Sequence, residues 1–138
     1  MKKVIISLAS IVLLITTLFF FSFNNNDSVG TVSIIIISET DQSEVMEFNF
    51  TKEDSLFDIL NENFTVVCGD RFYAPSTACE TVTFGSRVIF EINDLKTDFE
   101  TSFIAIYEND VYSNLGIDSI VLNNGDVFRF EYKEVGGS

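Results

Sequence analysis

The sequence predicts an α+β domain, a mixed sheet packed on one helix, preceded by an N-terminal helix that spans a membrane. Three observations carry this prediction. Lys2 and Lys3 are followed by an uncharged apolar run over residues 4–23. Strand-like segments stand at both ends of what remains, the last of them introduced by an Asn-Gly turn. Between them, one stretch alone repeats its apolar residues at clear helical spacing.

The apolar run comes first. A helix needs about 20 apolar residues to cross the hydrocarbon core. The core of a cleaved signal peptide is shorter, roughly 7–15 residues. No small-x-small cleavage site follows the run; the next residues are NNNDS, and no cysteine lies near its end to carry a lipid. Residues 1–3 are therefore expected to be a cytoplasmic n-region and 4–23 a transmembrane signal anchor, with a signal peptide as the alternative. Residues 24–30 are a linker and 31–135 the domain. The two lysines keep their end inside, so the chain is expected to be membrane-anchored with its domain extracytoplasmic.

The domain opens with TVSIIIIS (31–38), a β-branched run expected to be a central strand covered on both faces. VMEFNF (45–50) alternates, with Met46, Phe48 and Phe50 on one side, and completes a hairpin. The helix follows. Thr51 stands three residues before Asp54, a variant of the capping box, and Leu56, Ile59, Leu60 and Asn63 then share a face with Phe57 beside them. Asp54, Asp58 and Glu62 form a second, solvated face. Strands are expected over 64–68, over 81–92 with a turn at Gly85-Ser86, and over 102–107. The segment 119–122 is expected to be short and extended. In the last strand Phe128, Phe130 and Tyr132 alternate with Arg129, Glu131 and Lys133.

One helix cannot cover two faces of a sheet. The economical arrangement is a β-grasp, or ubiquitin-like roll, whose sheet curls around the helix with its first and last strands side by side in the centre. Register there must be fixed, and the turn at Asn124-Gly125 is placed to fix it.

Composition narrows the function. Beyond residue 27 there are 20 Asp and Glu against 6 Lys and Arg, a net charge of −14. This excludes nucleic acid, which requires a basic footprint. The chain has no histidine, so it lacks the usual general base near neutral pH and the commonest zinc ligand. A Ser-His-Asp or Cys-His site cannot be built. Carboxylate pairs such as Asp94 and Asp98 are all that remain for acid–base work. No catalytic residue and no metal ligand is assigned, and an enzyme is not expected.

Cys68 and Cys79 bracket GDRFYAPSTA. Two cysteines in an exported chain read as one disulfide. The loop they close holds Arg71, Phe72, Tyr73 and the single proline, Pro75. It is either a stapled recognition loop or one whose aromatic rings fold back over the sheet. Asn49-Phe50-Thr51 and Asn63-Phe64-Thr65 match the N-glycosylation pattern, which has meaning only in a host with that machinery.

The stretch 103–132 resembles the transcobalamin-like C-terminal domain family of bacterial surface proteins. The matching residues are Tyr107 and Asn109 at the end of an aromatic strand, Gly116 some residues later, and Gly125 and Asp126 in the turn before the last strand. DSLFDIL (54–60) is similar to the start of the family's helix. The resemblance implies a β-grasp domain and a ligand-binding or adhesive role. In the family's vertebrate relatives such a domain helps enclose cobalamin together with a helical barrel. This chain has no such barrel and no histidine for cobalt, so no cofactor is expected for it alone. The candidate binding surface combines Arg71, Phe72 and Tyr73 of the loop with Phe103, Tyr107, Asn109 and Tyr112 of the matching stretch. The expected function is a membrane-tethered extracytoplasmic binding module for a small molecule or a protein partner; the alternative is a structural or accessory subunit of a cell-envelope complex.

Overall fold

In the computed structural model, which describes residues 28–37, 43–80 and 85–136, strands β1 (Gly30–Ile37) and β2 (Ser43–Phe50) form the expected antiparallel hairpin. Met46 lies opposite Ile34, Phe48 opposite Val32 and Phe50 opposite Gly30, so the alternating apolar residues of both strands share one face. Val32, Ile34 and Phe50 are buried. The other face of β1 is only half covered at Ser33, Ile35 and Ile37. The expectation of cover on both faces fails there because the single helix lies on one side. The expected membrane-spanning segment and residues 81–84 lie outside the described residues. Among the described residues, no helix is long and apolar enough to cross a membrane.

The helix α1 (Leu56–Asn63) buries Leu56, Phe57, Ile59 and Leu60. Its cap sits one turn later than expected. Ser55 is the N-cap and forms the reciprocal box with Asp58: Asp58 N donates to Ser55 Oγ at 3.1 Å, and Ser55 N donates to Asp58 Oδ2 at 2.9 Å. Thr51 and Asp54 instead close the turn that leads into it, with Thr51 N donating to Asp54 Oδ2 at 2.6 Å. Asn63 is exposed, and its amide turns back to donate to Ile59 O at 2.8 Å.

Four short strands form a second sheet: β3 (Val66–Gly69), β4 (Pro75–Ser76), β5 (Ile89–Ile92) and β6 (Leu95–Lys96), in the order β4-β3-β5-β6. β7 (Ser102–Glu108), β8 (Val111–Tyr112) and β9 (Val127–Glu134) join the first hairpin in a five-stranded mixed sheet ordered β2-β1-β9-β7-β8. β9 runs parallel to β1, Ile34 opposite Phe128 and Ile36 opposite Phe130. The first and last strands are therefore neighbours, as expected. Where the sequence suggested an extended segment from Ser119, a 3-10 turn over Ile117–Ser119 intervenes, and Ile117 and Ile120 drop into the core.

The turn before β9 is bonded to β1. Gly125 N donates to Thr31 O at 2.8 Å, Thr31 N to Asn124 Oδ1 at 2.9 Å, and Ser33 N to Asp126 O at 2.9 Å. Gly125 has φ +91°, a value that L side chains reach only under strain. The turn thus sets the register of the parallel pair directly. Phe128 and Phe130 from β9, Leu56 and Leu60 from α1, and Ile92 and Leu95 from the second sheet meet in one core, each fully buried.

Candidate functional site

The hairpin of β7 and β8 turns through Asn109 and Asp110, both at positive φ (50° and 66°), as a two-residue hairpin loop requires. Pairing continues as far as Ser113, whose N donates to Ile106 O at 2.8 Å. There the second chain leaves. Leu115 N bonds back to Ser113 Oγ at 3.2 Å instead of continuing the ladder toward Ile104. Gly116 then passes so close to Ser86 that a Cβ on it would overlap the Ser86 side chain. The divergence opens a wedge between β7 and the start of β5.

That wedge is a cleft of about 370 Å³. Ile104, Ile106 and Phe130 line it from the five-stranded sheet, Ile89 from the second sheet and Arg87 from the segment leading into β5, and Tyr112 and Leu115 from the departing chain; Phe99 and Val135 also border it. Leu115 is 54 % exposed and Tyr112 45 %, so large apolar side chains stand at the cleft in contact with water. A second depression of about 620 Å³ lies against Ser28, Val29, Thr51, Lys52 and Glu53. One apolar residue in five makes it the poorer site, despite its volume.

The cysteine-bracketed loop reaches the cleft through stacked rings. Cys68 and Cys79 are bonded, with Cα atoms 4.9 Å apart. Inside the loop the Asp70 carboxylate accepts from Phe72 N at 2.7 Å and Ala74 N at 2.9 Å, which places Tyr73 at φ 60°. The Tyr73 ring stacks on Phe99 at 5.5 Å, and Phe99 on Phe90 at 5.4 Å. The three rings grade from the buried Phe90 through Phe99 to the exposed Tyr73. One ring of the loop therefore folds back and the other does not. Tyr73 folds back, while Phe72 projects with 75 % of its surface exposed and the Arg71 guanidinium 4.8 Å from its ring.

The remaining candidates separate into two groups. Phe103 and Tyr112 border the cleft. Tyr107 packs edge-on to Tyr112 at 5.6 Å and carries the Arg129 guanidinium at 4.1 Å. Asn109 is occupied by the fold: its Nδ2 donates to Asp126 Oδ1 at 2.9 Å, and its Oδ1 accepts from Val127 N at 3.0 Å. Asp126 also accepts from Asn123 N at 2.9 Å. Asn109 and Asp126, two of the residues that carry the sequence resemblance, thus tie the β7–β8 hairpin to the Asn-Gly turn. Sequence reasoning missed Ile104, Leu115 and Phe99, whose common place depends on where Ser113 ends a ladder. The Ser113-x-Leu115 step before Gly116 was the one available signal.

Charges near the cleft are paired. Arg87 bonds Asp118 at 3.0 Å and lies 3.8 Å from the Phe57 ring. Asp98 accepts from the Thr101 hydroxyl and amide, from Ser102, and from Glu100 N, and these donors hold its carboxyl well below the usual range. A carboxylate so held closes a loop and keeps no proton to give near neutral pH. Among the described residues, no three His, Cys, Asp or Glu side chains come together to hold a metal ion.

Solved structures share this fold, two of them as follows. A protein of Ruminococcus gnavus ATCC 29149, for which a metal-binding role has been suggested, superposes with a TM-score of 0.58 at 21% identity, covering 77% of this chain and 98% of that one. Haptocorrin in complex with Cbi gives a TM-score of 0.55 at 12% identity, over 80% of this chain. The match spans 26% of the haptocorrin chain. No family model matches the sequence, and no curated protein matches it.

Proposed function

We propose that the chain is a binding module of β-grasp type, tethered to a membrane by residues 4–23, with its domain outside and its ligand in the cleft between β7 and β5. The observation that carries the reading is the cleft. It is concave and mostly apolar, walled by two sheets, with aromatic rings at its mouth. Both similar structures belong to proteins described by what they bind, and this is support from fold alone. The metal role suggested for one of them is not carried over, since the described residues bring no ligand set together. Cobalamin is not carried over either, because the match leaves most of haptocorrin without a counterpart here.

The test uses the fragment from Ser28 to Ser138 and the neutral apolar dye Nile red. The dye is expected to bind saturably to the native fragment, and Leu115→Asp is expected to abolish binding without unfolding the fragment. Saturable binding unchanged by Leu115→Asp would place the ligand elsewhere. The tether has its own test. Reporter domains fused after Asn26 and after Ser138 are expected to be active outside the membrane; an inactive C-terminal fusion removes the assignment.

A second reading has its own observation. Among the described residues β2 is an edge strand of eight residues, with β1 on one side only. Such an edge can add to the sheet of another protein, which favours an accessory subunit of an envelope complex. The depression at the end of β2, against Val29, Thr51, Lys52 and Glu53, is less apolar than the cleft beside β7, so this reading ranks second.

A further inference from the structure

We infer that Phe99 selects what the cleft takes: its ring, held edge-on at the border, favours an uncharged aromatic ligand over a saturated one of the same size, and Asp98 is the positioning residue that holds it. The inference rests on the cleft as the binding site and names the class of its ligand. The backbone comes first. Asp98 Oδ1 accepts from Glu100 N at 3.0 Å, Thr101 N at 2.9 Å and Ser102 N at 3.0 Å, and Ser102 Oγ accepts from Asp98 N at 3.2 Å. Consecutive amides reach one oxygen only if the chain winds tightly around it. Phe99, between that carboxylate and those amides, stands at φ 60°. A bulky side chain with such a φ is an outlier that its surroundings must enforce. Among the described residues two aromatic residues have a positive φ, Tyr73 and Phe99, both at 60°. Tyr73 is held by the same device, with Asp70 Oδ1 accepting from Phe72 N and Ala74 N. Two loops thus strain their backbones separately, and the two rings they place stack on each other at 5.5 Å. Strain of this kind collects at ligand clamps.

The stack decides what Phe99 offers. Tyr73 lies at 16° to it and Phe90 at 21°. With the exposed Tyr73 stacked on one side and the buried Phe90 on the other, the edge of Phe99 is what remains for the cleft it borders. The edge of an aromatic ring is positive and prefers the negative face of another ring. A saturated ring has no such face. Charge narrows the class further. No Asp or Glu lines the cleft, and its one charged residue, Arg87, is paired with Asp118. A charged ligand would bury its charge without a partner. The ligand that fits is flat, uncharged and aromatic, with its face toward Phe99.

The test uses the full chain in lipid nanodiscs, with isoleucine and leucine methyls labelled so that Ile104, Ile106 and Leu115 report occupancy of the cleft by NMR. The probes are benzamide and cyclohexanecarboxamide, both uncharged and water-soluble, which differ in whether the ring is aromatic. Benzamide is expected to bind about fivefold more tightly, the value of one edge-to-face contact. Phe99→Leu keeps an apolar side chain and is expected to bring the two affinities together; a general loss of affinity cancels in their ratio. Asp98→Ala is expected to do the same, while Asp98→Asn, whose Oδ1 can still take the three amides, restores the preference. A second measurement leaves the protein unmutated. The Phe99 ring protons, lying over the face of the bound ring, are expected to move upfield with benzamide and not with cyclohexanecarboxamide. Equal affinities in the unmutated chain, a preference that survives Phe99→Leu, or no upfield shift overturns the inference, and so does failure of both probes to move the cleft methyls. Asp98→Ala and Asp98→Asn behaving alike removes Asp98 from its positioning role. If Nile red still binds and is still lost in Leu115→Asp, the cleft remains the site and only its selectivity has been misread. If dye binding fails as well, the cleft reading falls with it.

Discussion

Phe128 and Phe130 are adjacent inward residues of one strand, both fully buried, yet their truncation to alanine should not cost the same. Returning a buried Phe side chain to water accounts for about 1.5–3 kcal/mol. The observed range for Phe→Ala in cores is about 3–5 kcal/mol, and the excess is the void left behind. Phe130 lines the cleft and Phe128 does not. The void at Phe130 opens into an existing water-accessible space, so much of the excess is relieved, and the expected loss is about 3 kcal/mol. The void at Phe128 is sealed between Ile34 of β1 and the helix side of the core, and the expected loss is about 4–5 kcal/mol. The assay is urea denaturation of the Ser28–Ser138 fragment, with losses compared at equal m-value. Equal losses, or a greater loss at Phe130, would mean that the cleft does not reach the core at β9, and the geometry of the site would have to be redrawn.

Other consequences are open to the same measurement. Gly125→Ala is expected to lose about 1–2 kcal/mol from backbone strain alone, since nothing lies within 4 Å of the added Cβ; a neutral substitution would remove the turn from its register-setting role. Arg129→Ala should lose about 1 kcal/mol, because Arg129 covers Tyr107 and pairs with Glu131 on the outer face of β9. Replacing Cys68 and Cys79 together by alanine should lower stability by about 2–3 kcal/mol for a bridge spanning 11 positions without unfolding the domain; two maleimide-reactive thiols in the denatured, unreduced protein would show that no bridge forms. Asp58, held down by its hydrogen bonds to Ser55, and Asp98, held down by those to Thr101, both titrate below the ordinary 3.8 when folded. Their stabilisation is complete above that value and is lost as pH falls through the folded values. Denaturation midpoints should therefore drop below about pH 4, and Asp98→Asn should flatten part of that drop.

Much of the sheet was legible because its patterns are local. Met46, Phe48 and Phe50 alternate against Val32 and Ile34, and that alternation permits one register. The neighbourhood of β1 and β9 followed from a count: one helix, two hydrophobic ends, one sheet to be closed. The cap was misplaced because Thr51 and Ser55 both begin a spacing that a capping box allows. Which one wins depends on where Leu56 and Phe57 enter the core, and that is a tertiary matter. The 3-10 turn at Ile117–Ser119 is set by Ser86 and Arg87, which bond Asp118 from 32 and 31 positions away. No window of sequence contains both partners. The cleft was illegible for the same reason. Its walls come from Arg87, Ile104, Leu115 and Phe130, and its existence depends on a ladder that stops one pair early.

The parallel pairing of β1 with β9 also has a meaning in time. β1 leaves the ribosome long before β9, the strand that must lie beside it. In the interval the hairpin partner β2 protects one side of β1 only, and the stretch from Ser33 to Ile37 offers four consecutive isoleucines to whatever strand arrives first. Long-range closure of this kind is slow and leaves a growing chain open to wrong partners. A message broken anywhere before Val127 therefore yields an adhesive fragment instead of a weakened domain. For this fold, β9 decides whether β1 is paired on both sides.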